Sequence, residues 1–186
     1  LLGLICGYYG GKLDTIIMRI LDIFVAFPFM VLAIAIVAIL GNGVMNLLIA
    51  MWIGSWPPYT RLVRSEVLIA KNSEYVQAAK TLGYSDVKII FRHILPNVVS
   101  LLIVSMTLDF ATCMLTESTL SYLGFGIPLP TPTWGNLLNG ANNSIVIQQY
   151  WWQWVFPAAI FGICTICINL IGDGLRDALD PKALER

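Results

Sequence analysis

The chain has 186 residues, 58% hydrophobic and only 12% charged, with no net charge and a mean hydropathy of +0.77. Soluble domains lie nearer ~45–50% apolar and ~25% charged, so this composition excludes an ordinary soluble enzyme and indicates a membrane protein. The neutral balance removes the bulk basicity that nucleic-acid binding requires, so no nucleic-acid partner is expected.

The chain opens with Leu1-Leu2-Gly3-Leu4-Ile5-Cys6-Gly7, well short of the ~20 residues that a helical span needs. It reads as the tail of a helix whose beginning is missing, a partial span in a chain incomplete at its N-terminus, and it shows no secretory signal pattern. Residues 23–60 carry no charge. Gly41-Asn42-Gly43 is a turn signal that divides this run into two spans, 20–40 and 44–59, with Pro57-Pro58 closing or bending the second. Further apolar stretches predict spans at 98–123 and 154–171. The fold class is therefore all-α and polytopic, with four complete spans and one partial one.

The eleven basic residues are distributed unevenly. Lys12 and Arg19 precede the first complete span. Arg61, Arg64, Lys71, Lys80, Lys88 and Arg92 lie between the second and third, and Arg176, Lys182 and Arg186 follow the fourth. The turn at 41–43 and the segment 124–153 have none. Lys and Arg are retained on the cytoplasmic side during insertion, so every connection alternates consistently, with the loop 61–96 and the C-terminus cytoplasmic. Tyr150, Trp151, Trp152 and Trp154 then form an aromatic belt at the outer interface. Pro128, Pro130 and Pro132 stiffen the outer segment, for which an interfacial loop is a simpler reading than a gate or a contact for an external protein.

The cytoplasmic loop reads as a helical pair. Tyr75, Ala78, Ala79 and Leu82 form an apolar stripe on the first helix. Gly83 supplies its C-terminal stop. Ser85 or Asp86 caps the second helix, Ile89, Ile90 and Ile94 give that helix an apolar face, and Pro96 ends it. Small Ala78 and Ala79 let a partner surface approach closely, but the same pattern also suits a solvated loop packing on its own membrane domain.

The residues Ala78-Ala79, Gly83 and Leu95-Pro96 fall at the spacing of a loop signature, Glu-Ala-Ala, three residues, Gly, nine residues, Ile, one residue, Leu-Pro. On these residues the chain resembles importer permeases of the ATP-binding-cassette class. Gln77 replaces the signature Glu and His93 the signature Ile. Gly7-Tyr8-Tyr9-Gly10-Gly11, Met18-Arg19, Asp22, Arg61-Leu62-Val63-Arg64, Glu117, Leu120-Ser121-Tyr122-Leu123-Gly124, Pro130-Thr131-Pro132-Thr133-Trp134-Gly135 and Asn169-Leu170-Ile171-Gly172-Asp173-Gly174-Leu175-Arg176-Asp177-Ala178-Leu179-Asp180-Pro181 extend the resemblance to the second, C-type permease of the dipeptide/oligopeptide/nickel branch.

The resemblance implies one transmembrane permease domain over 1–186, in a bacterial or archaeal cytoplasmic membrane. Its implied partners are membrane lipid, a second homologous permease, two ATP-binding-cassette ATPase subunits and an external substrate-binding protein. ATP and Mg would be bound by the ATPase subunits, with no cofactor on this chain. Glu74, Tyr75, Ala78, Ala79, Leu82, Gly83, His93, Leu95 and Pro96 are the implied ATPase-coupling residues. The sequence has no phosphate-cradling Gly-Lys-Ser/Thr loop and no Ser/His/Asp or Cys/His constellation, so this chain is not expected to be an enzyme.

Asp109 and Glu117 are ionisable groups within the third complete span and hence candidates for the pathway. Interhelical hydrogen bonding or protonation for Asp109, and water access or a helix cap for Glu117, are the plainer alternatives. They are also the sole support for a rival, an ion-gradient-driven secondary transporter, which leaves the loop signature unexplained. An intramembrane enzyme would need paired catalytic groups at one depth, and none is found. His93 reads as an interfacial hydrogen-bonding group, Arg19 and Asp22 as an interface ion pair, and Cys164-x-x-Cys167 as small residues in a span. Asp173, Arg176, Asp177 and Asp180 form a charged cytoplasmic end. The substrate is not legible.

Overall fold

A computed structural model describes residues 1–139 and 143–179. Asp180, Pro181, Lys182 and Arg186, which figure in the sequence reading, lie outside the described residues, as do positions 140–142 of the outer segment. The elements in chain order are α1 Leu2–Tyr9, α2 Gly11–Val25, α3 Phe29–Leu40, α4 Val44–Lys71, α5 Glu74–Thr81, α6 Asp86–Ile89, a π-helical turn Ile90–Ile94, α7 Leu95–Tyr122, α8 Trp134–Asn139, α9 Ser144–Gln149 and α10 Trp152–Leu179. Among the described residues, two helices are long and apolar enough to cross a membrane, Asp86–Tyr122 and Trp152–Ala178. The pair α2 and α3 reaches the same standard when taken together. The 28-residue α4 contains the expected second span but is more polar along its length.

Prolines account for most departures from the expected boundaries. The expected span 20–40 is interrupted between Val25 and Phe29, because the Pro28 ring disfavours a helical conformation at Phe27. Pro57-Pro58 does not close a helix, since α4 runs through both. Pro57 is fully buried, and a packed bundle tolerates a proline whose freed carbonyls find other partners. Nor does Pro96 end its helix, since Asp86–Tyr122 is one continuous 37-residue helix. The π-helical turn ends at Ile94, two residues before Pro96, and the Leu95 N–H donates to the Ile90 carbonyl, five residues back. That wider turn relieves the clash between a proline ring and the preceding carbonyls. The expected divider at Gly41 holds: α3 stops there with φ +87°, and Asn46 Nδ2 donates to the Leu40 and Gly41 carbonyls at 2.8 and 3.0 Å.

The chain forms two compact units, Leu1–Phe27 with Ser55–Val104, and Pro28–Gly54 with Ser105–Arg186. In the first, α1 lies directly on α4. A Cβ on Gly3 would come 2.8 Å from Val63 Cβ, and one on Gly7 2.7 Å from Val67 Cβ, so only glycine permits this approach. Leu4 and Tyr8 join Val63 and Val67 in a buried cluster that continues through Val76 and Ala79 of α5 to Ile89, Ile94 and Val98. Arg64 clamps Asp14 through Nε at 2.5 Å and Nη2 at 2.6 Å. Asp22 takes Arg61 at 2.6 Å and the expected partner Arg19 at 3.5 Å.

In the second unit, Ala33 and Val37 of α3, Leu47 and Ala50 of α4 and Leu120 of α7 form the buried cluster. The Phe29 ring fills the space beside Gly54, and Leu108 packs on Gly172 of α10. Tyr150, Trp151 and Trp152 expose between 44% and 49% of their surface, and their rings contact one another edge-on.

Candidate functional site

The loop between α4 and α7 is built from inside outward. α5 begins at Glu74, whose carboxylate favours the positive helix N-terminus, and carries Lys80 in its last turn. Its end is a Schellman motif: Gly83 has φ +78°, the Gly83 N–H donates to the Lys80 carbonyl at 2.9 Å, and the Tyr84 N–H donates to the Ala79 carbonyl at 3.2 Å. Gly83 therefore stops the helix as expected. Ser85 occupies the N-cap position of α6, but its side chain makes no cap hydrogen bond.

The apolar stripe divides between two faces. Tyr75, Ala78 and Leu82 are exposed, Leu82 at 73%. Ala79 instead turns inward and is buried beside Val76 in the cluster beneath the helix, so it belongs to the seat of α5 and not to its outer face. Glu74 is exposed at the start of that face. Tyr84, Val87 and Phe91 extend the exposed apolar surface onto the following helix.

His93, Leu95 and Pro96 lie on the continuous helix that follows the loop turn at Gly83. The Tyr75 hydroxyl accepts from Asn97 Nδ2 at 3.0 Å, which fixes the ring while leaving it 43% exposed. His93 stacks on Tyr84 with ring centres 5.9 Å apart, and its buried Nε2 has no hydrogen-bond partner among the described residues. Leu95 is half-buried against the inner cluster, and Pro96 is exposed.

Asp14 and Arg64 flank this loop, outside the stretches 20–40 and 44–59. The Arg64 hydrogen bonds hold the Asp14 carboxyl below the usual carboxylate range and push the Arg64 guanidinium up. Neither this pair nor the contacts of Tyr8 with Lys71 and Asp86 was legible as an interaction in the sequence. The Gly3-x-x-x-Gly7 spacing was the available signal that α1 would pack closely enough to make them.

The pathway candidates are not brought together. Glu117 accepts from Ser121 Oγ at 2.7 Å and from Ser118 Oγ at 3.4 Å, and Ser121 Oγ in turn accepts from the Ile127 N–H at 3.3 Å. Glu117 lines a cleft of about 370 Å³ with Ile127, Thr133, Trp134 and Leu137. Asp109 lies elsewhere on α7 and is exposed. Asn136 Nδ2 closes the outer segment by donating to the Ile127 and Thr131 carbonyls at 2.8 and 3.0 Å. Cys6, Cys113, Cys164 and Cys167 are free thiols.

Two helices long and apolar enough to cross a membrane, with a third such stretch in α2 and α3 taken together, define a polytopic membrane protein. The chain belongs to the family of binding-protein-dependent transport system inner membrane components, whose model matches residues 1–185. It is 45% identical over 181 residues to the glutathione transport system permease protein GsiD of Pectobacterium atrosepticum, covering 97% of this chain and 60% of that protein. It is 47% identical over 175 residues to GsiD of Escherichia coli, covering 94% and 57%. With the dipeptide transport system permease protein DppC of Alkalihalophilus pseudofirmus it shares 48% identity over 181 residues, covering 97% and 59%. The chain thus spans about three-fifths of the length of these relatives.

Proposed function

We propose that the chain is a membrane-spanning permease subunit of an ATP-driven importer that carries short peptides, glutathione among them, across the inner membrane. Membership of the inner-membrane component family supports this reading, as do the glutathione and dipeptide permeases among the relatives. The observation that carries it is the loop: an outward apolar face of Tyr75, Ala78 and Leu82 on a helix seated by Val76 and Ala79. A surface of this kind suits a groove on a partner. Glu74, Gly83, His93, Leu95 and Pro96 shape and support it, with Ala79 acting from beneath.

In this reading two ATPase subunits bind ATP and Mg and grip the loops of this chain and a second permease. An external binding protein delivers the peptide. ATP shifts the access equilibrium only by gripping one conformation of the loop better than the other. The clustering of Arg61, Arg64, Lys71, Lys80, Lys88 and Arg92 supports a cytoplasmic placement of the loop, and the C-terminus falls on the same side. Glu117, in its cleft, is the stronger candidate for lining the pathway.

The test is purification from native membranes with identification of stoichiometric partners by mass, then reconstitution into vesicles. Uptake of glutathione or glycyl-leucine that needs ATP and binding protein supports the importer. Uptake that persists without ATP while an ion gradient is held overturns it in favour of the secondary transporter.

A further inference from the structure

One residue outside the loop touches each segment that frames it. Tyr8, in the last turn of α1, is 4% exposed. Its phenol donates to Asp86 Oδ1 at 2.6 Å, on the first residue of α6. Its carbonyl lies too near the end of α1 to find an intrahelical donor and accepts from Lys71 Nζ at 2.5 Å. Lys71 is the last residue of α4. Lys80, in the last turn of α5, places its ammonium 5.3 Å from the centre of the Tyr8 ring, and Lys71 places its own at 5.5 Å. Both are within cation–π reach.

The ends of α4 and α5 and the start of α6 therefore converge on a single side chain, which also packs in the cluster holding Val76 and Ala79 beneath α5. α1 cannot slip freely under this load, because Gly3 and Gly7 press it against α4. A phenylalanine would serve the packing equally well. What the hydroxyl adds is a charge-assisted hydrogen bond across the loop, the stronger kind.

We propose that Tyr8 is a positioning residue that couples displacement of the loop to α1. The phenol–Asp86 bond is its working element. The inference rests on the importer reading above and adds a residue outside the signature loop.

The experiment compares wild type, Tyr8→Phe and, as control, Tyr9→Phe, whose ring is 55% exposed. Each is assembled with the second permease, the ATPase subunits and the binding protein in vesicles, with glutathione and glycyl-leucine as probes. Two readouts are taken on the same preparations: uptake per ATP hydrolysed, and amide hydrogen exchange over residues 72–86. Tyr8→Phe keeps ring and packing, so assembly and basal hydrolysis stay at wild-type levels. Uptake per ATP falls about tenfold and exchange in the loop rises by a similar factor, the scale of one lost hydrogen bond to a charged group. Tyr9→Phe changes neither.

Normal coupling in Tyr8→Phe overturns the proposal, even if exchange rises, because the bond would then be merely structural. Lost coupling without faster exchange also overturns it, since the loop would not have been released. A wild-type assembly with no ATP-dependent uptake of either probe removes the importer reading itself, an outcome distinct from a wild type that imports beside a fully coupled Tyr8→Phe.

Discussion

Replacing Gly7 by alanine tests the packing of α1 on α4. The added Cβ would stand 2.7 Å from Val67 Cβ and 2.8 Å from the Arg64 carbonyl oxygen. Carbon atoms in ordinary contact sit about 3.5–4.0 Å apart, so α1 must retreat by roughly 1 Å. The Arg64 oxygen is backbone and cannot rotate away, and retreat also loosens Leu4 and Tyr8 in the shared cluster. Overpacking of this kind costs about 1–3 kcal/mol. Alanine recovers up to about 1 kcal/mol of helix propensity. The net expectation is a loss of about 1–2 kcal/mol, or a midpoint lowered by about 2–8 °C for a chain of this size. Gly162→Ala is the comparison, since a Cβ there meets nothing within 4 Å and the propensity gain stands unopposed. Thermal unfolding of both variants in one detergent decides the matter. A Gly7→Ala variant as stable as Gly162→Ala would refute the close approach of the two helices.

Three further outcomes are expected. Gly83→Val forces a β-branched residue to φ +78°, at a cost of about 1–3 kcal/mol. The Schellman bonds should exchange faster and ATP hydrolysis should continue without uptake, while Gly83→Asn, which tolerates that backbone, retains most of both. Asp14→Asn should lower stability at pH 7. Because Arg64 holds the folded carboxyl below its ordinary value, the native pair contributes fully above the unfolded value of about 3.9 and loses its contribution as pH falls through the lowered folded value. Unfolding curves at pH 7, 5 and 3 should therefore show the gap to wild type closing towards acid, and a constant gap would refute the pairing. Asn136→Ala removes the donor shared by the Ile127 and Thr131 carbonyls, at a cost of about 1 kcal/mol. Amide exchange over residues 127–139 should rise, and no change there would sink the closure.

The turn at Gly41 and the helix stop at Gly83 were legible because a positive φ is a local demand that glycine meets at once. Prolines were misread because their effect depends on what surrounds the freed carbonyls. Pro28 breaks the helix, whereas Pro57 is buried inside one and Pro96 follows a π-helical turn. Ala79 shows a different limit. α5 carries apolar residues on two faces, one for the chain's own core and one left open, and hydrophobicity alone does not distinguish them. The same ambiguity runs along α3, where Ile39 is 83% exposed and Val37 is fully buried. Tyr8 went unread as a contact because its partners lie far along the chain, at positions 71, 80 and 86.

The π-helical turn at 90–94 sets the rotational phase of the chain entering α7. Such a turn holds one residue more than the α-helical path, and each helical residue is worth about 100° of rotation. Deleting one residue there would close the turn to the α-helical path, leaving Ile89 and the start of α6 nearly in phase with residues 95–104 but bringing the Pro96 ring back against the preceding carbonyls. The same deletion in a regular α-helical stretch would turn its two sides by about 100° against each other. Length variation is thus absorbed at this point, and a one-residue deletion in the turn is expected to be less damaging than one a full turn into α7.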